Sequence, residues 1–168
     1  MMLSTRTFRL VAVMLLTQFG ATWRVQAQEA SIQHLKGLTG IAVHVGIDGP
    51  SNISMTQLES AVTQRLRDAA ITIVPAQAPR PYNTQGHLWA TVMVFRAAPG
   101  SDRSLVHTQL RLYSSVTLAS SNDRSEAITW ETERLTIVPA RDRDARMRDD
   151  LNYLIDDFSK AYQSANPR

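Results

Sequence analysis

The chain has 168 residues, 18 of them basic and 15 acidic, and it contains no cysteine. The excess of basic residues lies in the first 27 positions, which hold Arg6, Arg9 and Arg24 and no acid, so the rest of the chain carries 15 residues of each sign. A balanced charge provides no clustered positive footprint for nucleic acid. The lack of cysteine excludes a disulfide scaffold and a thiol nucleophile, and it removes the residue to which bacterial lipoproteins attach their anchor.

The first residues predict a secretory signal peptide. Arg6 and Arg9 form a positive n-region, and Leu10–Ala21 follows as an apolar stretch of about a dozen residues. That stretch is too short to cross a hydrocarbon core of ~30 Å as a permanent helix. Val25 and Ala27 supply the short side chains of a cleavage site. A buried N-terminal helix is the alternative interpretation.

Cleavage is expected before Gln28, which makes residues 1–27 the signal peptide and residues 28–168 one domain. A chain of this length buries a sizeable core without disulfides or metals. No apolar run long enough for a membrane span follows the leader. We therefore expect a periplasmic or secreted bacterial protein with no membrane span and no lipid anchor.

The mature chain begins with a predicted strand and a predicted helix. Apolar residues alternate with other residues over Ile41–Ile47, which is typical of a half-buried strand. Thr56 and Glu59 match a capping box, the pairing that satisfies free backbone N–H groups at a helix start. Apolar residues then continue at helical spacing from Leu58 to Ala69.

Four more strands are predicted before the last helix. A short β-branched run, Ile71–Val74, precedes a proline-rich loop over residues 75–87. The segments Leu88–Arg96, Leu105–Ala119 and Ala127–Val138 follow, and their short connections predict an antiparallel meander. The second of these would reach ~45 Å if fully extended, so we expect a bend or bulge near Ser114-Ser115.

The C-terminal segment predicts a long amphipathic helix with a continuous apolar stripe, formed by Met147, Leu151, Leu154, Ile155, Phe158, Tyr162 and Ala165. Acids stand four residues before bases at Asp142→Arg146, Asp144→Arg148 and Asp156→Lys160. We place the pairs Asp149-Asp150 and Asp156-Asp157 on a solvated, salt-bridged face rather than around a cation. The order β-α-β-β-β-β-α predicts an α+β fold, with two helices on one face of a mainly antiparallel four- to five-stranded sheet.

No motif in the chain predicts chemistry. The four histidines, His34, His44, His87 and His107, stand singly and lack metal-binding spacings. No serine lies in a nucleophile-elbow pattern, and no phosphate-binding glycine pattern occurs. We therefore predict no catalytic residue, no metal ligand and no cofactor.

The segment Leu88–Phe95 is apolar on both faces of its strand, although two helices can cover only one face of a two-layer domain. Trp89, Met93 and Phe95 are therefore the candidate interaction surface, and Trp130 is a further member. A central strand screened by the proline-rich loop is the alternative. A homodimer formed across the open face is another.

A second hypothesis is a small hydrolase or ligand-binding enzyme whose site lies in the loops 48–56 and 75–87. Asp48, Tyr82 and His87 would supply its reactive groups. This hypothesis requires their side chains to share one site, because acid–base catalysis works within hydrogen-bond reach of roughly 3 Å.

Several stretches resemble a family of small exported bacterial proteins of unknown function. They are Gly37-Leu38-x-Gly40-Ile41-x-Val43-x-Val45, Leu66-Arg67-x-Ala69-Ala70-Ile71-x-Ile73, Thr129-Trp130-Glu131 and Asp156-Asp157-Phe158-x-x-Ala161-Tyr162-x-x-Ala165-Asn166-Pro167. In element order the chain also resembles periplasmic accessory domains, such as the lipopolysaccharide-assembly lipoprotein and the N-terminal domain of the Tol–Pal translocation protein. The resemblance implies a role in cell-envelope assembly and no catalytic residue. The main hypothesis is thus a non-enzymatic periplasmic binding module that contacts another envelope protein.

Overall fold

The computed structural model describes residues 32–76 and 84–167. The predicted signal peptide, its cleavage site after Ala27 and the candidate Tyr82 lie outside the described residues. The elements run in the order β1 (Gly40–Asp48), α1 (Met55–Asp68), β2 (Ile73–Val74), β3 (Gln85–Arg96), β4 (Arg103–Thr117), β5 (Arg124–Pro139) and α2 (Arg143–Ala165), with a short 3₁₀ turn at Ala140–Asp142 before the last helix. The predicted order of strands and helices is confirmed.

The strands form one mixed sheet with the spatial order β2-β1-β3-β4-β5. β1 pairs in parallel with both β2 and β3. Between β1 and β2, helix α1 carries the chain back to the starting end of the sheet. β3, β4 and β5 are antiparallel neighbours joined by short turns, as the predicted meander requires. β5 therefore forms one edge of the sheet, and the two-residue strand β2 forms the other.

Both helices pack on one face of the sheet, called here the helix face, and the opposite face is the outer face. Alternate residues of each strand point to the helix face because successive strand side chains lie on opposite sides. The core between the layers includes Ile41, Leu88, Val92, Leu110, Leu112, Leu58, Val62, Leu66, Leu151, Leu154 and Phe158, all buried. This is the predicted two-layer α+β arrangement.

Helix α1 begins two residues earlier than the predicted capping box implies. Ser54 is the N-cap: its hydroxyl accepts a hydrogen bond from the Gln57 backbone N–H, and the Gln57 side chain accepts one from the Ser54 N–H. Thr56 and Glu59 lie inside the helix, so the prediction that they form the box was wrong. The two patterns are hard to separate in sequence, because glutamine and glutamate both occur at the third helical position of such boxes.

Helix α2 buries the predicted apolar stripe, but it also buries one of the acids placed on its solvated face. Asp150 retains only 1% of its accessible surface. It pairs with Arg134 of β5 at 3.1 Å and with Arg146 of its own helix at 3.2 Å. The solvated assignment was wrong for Asp150 because α2 lies against the polar residues of β5.

One β-bulge interrupts the long β4–β5 ladder. Leu112 is opposite Trp130, whereas the next residue, Tyr113, is opposite Ile128, so Thr129 is the extra residue. The Thr129 hydroxyl bonds to the Ser114 hydroxyl at 3.1 Å. The bend predicted near Ser114-Ser115 was placed in β4, whereas the extra residue belongs to β5, opposite the step from Leu112 to Tyr113. Because of this residue, Ile128 lies on the outer face although Trp130, two positions later, lies on the helix face.

Candidate functional site

The outer face of the sheet carries the candidate site, because neither α1 nor α2 covers it. Cross-strand register divides this face into three parts. They are an apolar group at the end where β3 leads into β4, a polar group in the middle and an aromatic, histidine-containing cleft at the other end.

The first part, the outer patch, consists of Met93, Phe95, Leu105, Leu135 and Ile137. Phe95 of β3 is opposite Leu105 of β4, which is opposite Ile137 of β5. The exposed fractions are 47% for Phe95, 53% for Ile137 and 64% for Leu135. Contiguous exposed apolar residues of this kind mark interaction sites on soluble proteins.

The middle part, the polar band, consists of His107, Gln109, Arg111, Glu131 and Glu133. Gln109 donates hydrogen bonds to Glu131 at 2.8 Å and to Glu133 at 3.1 Å. Arg111 donates to Glu131, and this hydrogen bond raises the pKa of Arg111. His107 lies 2.9 Å from Glu133, and the hydrogen bond between them lowers the pKa of the Glu133 carboxyl. Each of these side chains therefore has a hydrogen-bond partner within the polar band.

The third part, the histidine cleft, has a volume of about 370 Å³ and is lined by His44, Ala76, His87, Trp89, Tyr113 and Glu126. His44 Nε2 and His87 Nδ1 are 3.1 Å apart, close enough for one nitrogen to donate to the other. The His44 ring stacks on Trp89, with ring centroids 4.4 Å apart and an interplanar angle of 12°. The cleft therefore holds two imidazoles in fixed relation.

The structure divides the predicted interaction residues among three places. Met93 and Phe95 belong to the outer patch, and Trp89 belongs to the histidine cleft. Trp89 and Phe95 are six positions apart on one strand, or ~20 Å at about 3.3 Å per residue. Trp130 lies on the helix face with 7% exposure, and its ring meets Phe158 edge-on at 5.1 Å. Trp130 therefore does not join the outer-face surface.

The residues grouped in the enzyme hypothesis do not share a site. Asp48 is opposite Met93, whereas His87 is opposite Ala42, so the two lie about six residues apart along the sheet. That separation is ~20 Å, well beyond hydrogen-bond reach. The combination of Asp48 with His87 is thereby overturned.

The pairing of His44 with His87 was missed in the sequence because 43 residues separate them. Each lies at an outward position of its strand, and the parallel register of β1 with β3 makes them diagonal neighbours. Only a known register would have predicted the contact. Within residues 32–76 and 84–167, no group of three or more His, Asp or Glu side chains is arranged around a metal position.

In the part of the chain that the structure describes, no helix combines the length and the apolar character needed to cross a membrane.

No protein-family model and no curated protein sequence matches this chain. Among solved structures, the PelC dodecamer from Paraburkholderia phytofirmans is similar at 19% identity and a TM-score of 0.44, covering 76% of this chain and 88% of that one. Lipoprotein GNA1162 from Neisseria meningitidis is similar at 12% identity and a TM-score of 0.39, covering 73% and 99%. A minor lipoprotein from Acinetobacter baumannii is similar at 8% identity and a TM-score of 0.34, covering 76% and 92%. Similarities this low carry no argument about function.

Proposed function

We propose that this chain is an exported, non-enzymatic binding module that binds an extended apolar segment of another cell-envelope protein at the outer patch. The observation that carries the proposal is the contiguous exposure of Phe95, Leu135 and Ile137 on the sheet face away from the helices. The leader composition supports export, because a positive n-region, an apolar stretch and a short-residue cleavage site occur in order.

The edge position of β5 favours an extended segment as the occupant. Among the described residues β5 pairs on one side only, with β4. Sheet edges are normally protected from strand addition by charges and bulges. The first part of β5 has both, with Arg124, Glu126, Glu131, Glu133 and the bulge at Thr129. Residues 135–138, Leu-Thr-Ile-Val, have neither.

An added strand at residues 135–138 would gain two kinds of contact. Its backbone would extend the hydrogen-bonded sheet, and its alternate side chains would lie beside the outer patch. Leu135 and Ile137 face outward at the edge, with Leu105 and Phe95 behind Ile137. We infer that the partner segment carries apolar residues at every second position.

The polar groups next to the outer patch support a binding role over a catalytic one. Glu131 and Glu133 accept hydrogen bonds from Gln109, and each also contacts a basic or imidazole side chain. A covalent mechanism requires a nucleophile within hydrogen-bond reach of a base. The polar band instead consists of mutually paired acceptors and donors.

The test is site-specific photocrosslinking in the producing bacterium. A benzophenone amino acid is placed at Leu135 and, as the matched control, at Arg67, which is exposed on helix α1 over β1 and β2. We expect an adduct with one envelope protein from position 135 and none from position 67. Adding Phe95→Asp should abolish the adduct while circular dichroism shows an unchanged fold.

Two results would overturn the proposal. Equal adducts from positions 135 and 67, or an adduct that survives Phe95→Asp, would show that the outer patch does not select the partner. An adduct with the mass of two copies of this chain, matched by a dimer in light scattering, would make a second copy the occupant.

A further inference from the structure

We propose that His44 and His87 form a binding site for a divalent transition-metal ion, with Cu²⁺ as the ion bound most tightly. The site is separate from the outer patch and does not rest on the proposed binding of a partner protein. Imidazole nitrogen suits copper, zinc and nickel, and affinity in this series is highest for Cu²⁺.

The distance between the two ring nitrogens fits a shared metal ion. His44 Nε2 and His87 Nδ1 lie 3.1 Å apart. Metal–imidazole bonds are about 2.0–2.1 Å, so an ion bound to both nitrogens would make an N–metal–N angle of ~100°. This angle lies between the square-planar and tetrahedral values. The two nitrogens could therefore bind one ion as adjacent ligands at their present spacing.

The fold holds both imidazoles in place before a metal arrives. His44 is opposite Trp89 and His87 is opposite Ala42 in the parallel β1–β3 pair, so both rings rise from the outer face of neighbouring strands. The stack on Trp89 restricts the plane of the His44 ring. Without metal, one nitrogen donates to the other, and the ion would replace that single shared proton.

Because the hydrogen-bonded nitrogens face each other, both rings must turn to direct their lone pairs at one ion. The last torsion of a histidine side chain has a broad energy profile, which permits such a turn. The cleft of about 370 Å³ lies beside the two nitrogens and is also lined by Tyr113 and Glu126. It leaves space for water molecules at the remaining coordination positions of the ion.

The other described histidine of the outer face provides a matched control. His107 contacts Glu133 in the polar band rather than a second imidazole. It is opposite Met93, six residues from His87 on β3 and thus ~20 Å away. A metal response that depends on His44 and His87 but not on His107 would therefore identify this site.

The first experiment is a calorimetric titration of CuCl₂ into the exported protein, purified with chelator and then freed of it. We expect one Cu²⁺ site whose affinity falls by about tenfold or more in His44→Ala and in His87→Ala. Loss of a residue that only supports a metal ligand already lowers metal affinity by about 10–100-fold. His107→Ala should leave the affinity unchanged. Circular dichroism of the metal-free variants checks that each folds.

Electron paramagnetic resonance and fluorescence give independent readouts. Bound Cu²⁺ should show hyperfine coupling to two imidazole nitrogens, reduced to one in either histidine variant. Cu²⁺ should also quench Trp89, which stacks on His44, and Trp89→Phe should remove that quenching.

The inference is overturned if His44→Ala and His87→Ala bind Cu²⁺ as the unmodified chain does, or if His107→Ala weakens binding equally. Absence of binding to the folded protein also overturns it. Phe95→Asp should leave metal binding intact, so failure of the partner-binding proposal and failure of this one are distinguishable.

Discussion

The hydroxyl of Thr136 on β5 donates a hydrogen bond of 3.0 Å to the carboxylate of Asp150 on α2, joining the edge strand to the long helix. The same carboxylate pairs with Arg134 and Arg146, whose side chains remain 33% and 35% exposed. The acid is thus buried while its basic partners reach solvent. This arrangement fixes the position of α2 along the sheet through a polar contact between the two layers.

Asp150→Ala should destabilise the fold by about 1–3 kcal/mol, because the half-buried hydroxyl of Thr136 loses its acceptor while the two arginines can turn to water. Asp149→Ala, one residue earlier and exposed, should change stability by less than about 0.5 kcal/mol. Urea unfolding followed by circular dichroism measures both. Equal losses for the two variants would contradict the structural role given to Asp150.

Ser54→Ala should cost about 1 kcal/mol, because the N-cap hydroxyl accepts the Gln57 backbone N–H at the start of α1. Thr56→Ala should cost nothing or stabilise slightly, since alanine is the better residue inside a helix. Comparing these two variants therefore shows which of the two capping boxes forms. Thermal unfolding of both variants is the measurement, and a larger loss for Thr56→Ala would place the helix start differently.

The ion pair between Arg65 of α1 and Asp156 of α2 should make a small, pH-dependent contribution to the free energy of unfolding. The hydrogen bond from Arg65 lowers the pKa of Asp156, so the contribution is complete above the ordinary aspartate value of ~3.9 and is lost as pH falls through the lower folded value. Both side chains are more than 40% exposed, so Asp156→Asn should cost less than about 1 kcal/mol at pH 7.

The stability lost on Asp156→Asn should be smaller in acid than at pH 7. Denaturant titrations of the variant and the unmodified chain at both pH values would measure it. Asp157→Asn is the matched control because Asp157 is its exposed neighbour. A difference that grows as the pH falls would contradict the assigned direction of the pKa shift.

Gly49→Ala should destabilise the chain more than Gly100→Ala. Both glycines have positive φ, at 95° and 75° respectively, so both variants carry backbone strain of about 1–3 kcal/mol. A Cβ at Gly49 would also collide with the Val94 carbonyl, whereas one at Gly100 would meet open space. The difference in melting temperature isolates the collision. Equal losses would mean that the turn after β1 can move away from β3.

Local periodicity was enough to predict the layers of this fold. The alternating residues Ile41 to Ile47 and the stripe from Met147 to Ala165 specify which side of each element is buried. The short turns after β3 and β4 specify the meander. These features depend on residues close together in sequence, which is why they could be predicted without the structure.

The candidate site depended on relations between distant strands, which sequence patterns do not specify. The contact of His44 with His87 follows from the parallel register of β1 and β3. The burial of Asp150 follows from the residues that β5 presents to α2. The inward position of Trp130 follows from its register opposite Leu112.

The bulge at Thr129 adds one residue to β5 without changing the face on which its neighbours lie. Many side chains at position 129 would preserve the extra backbone unit, because the bulge is a matter of residue count. Deleting Thr129 would leave Ile128 directly before Trp130, so regular alternation would still place Ile128 on the outer face and Trp130 on the helix face. Related chains can therefore lose this single codon and straighten the edge strand, whereas losing a residue from the regular part of β5 would exchange the inside and the outside on one side of the loss.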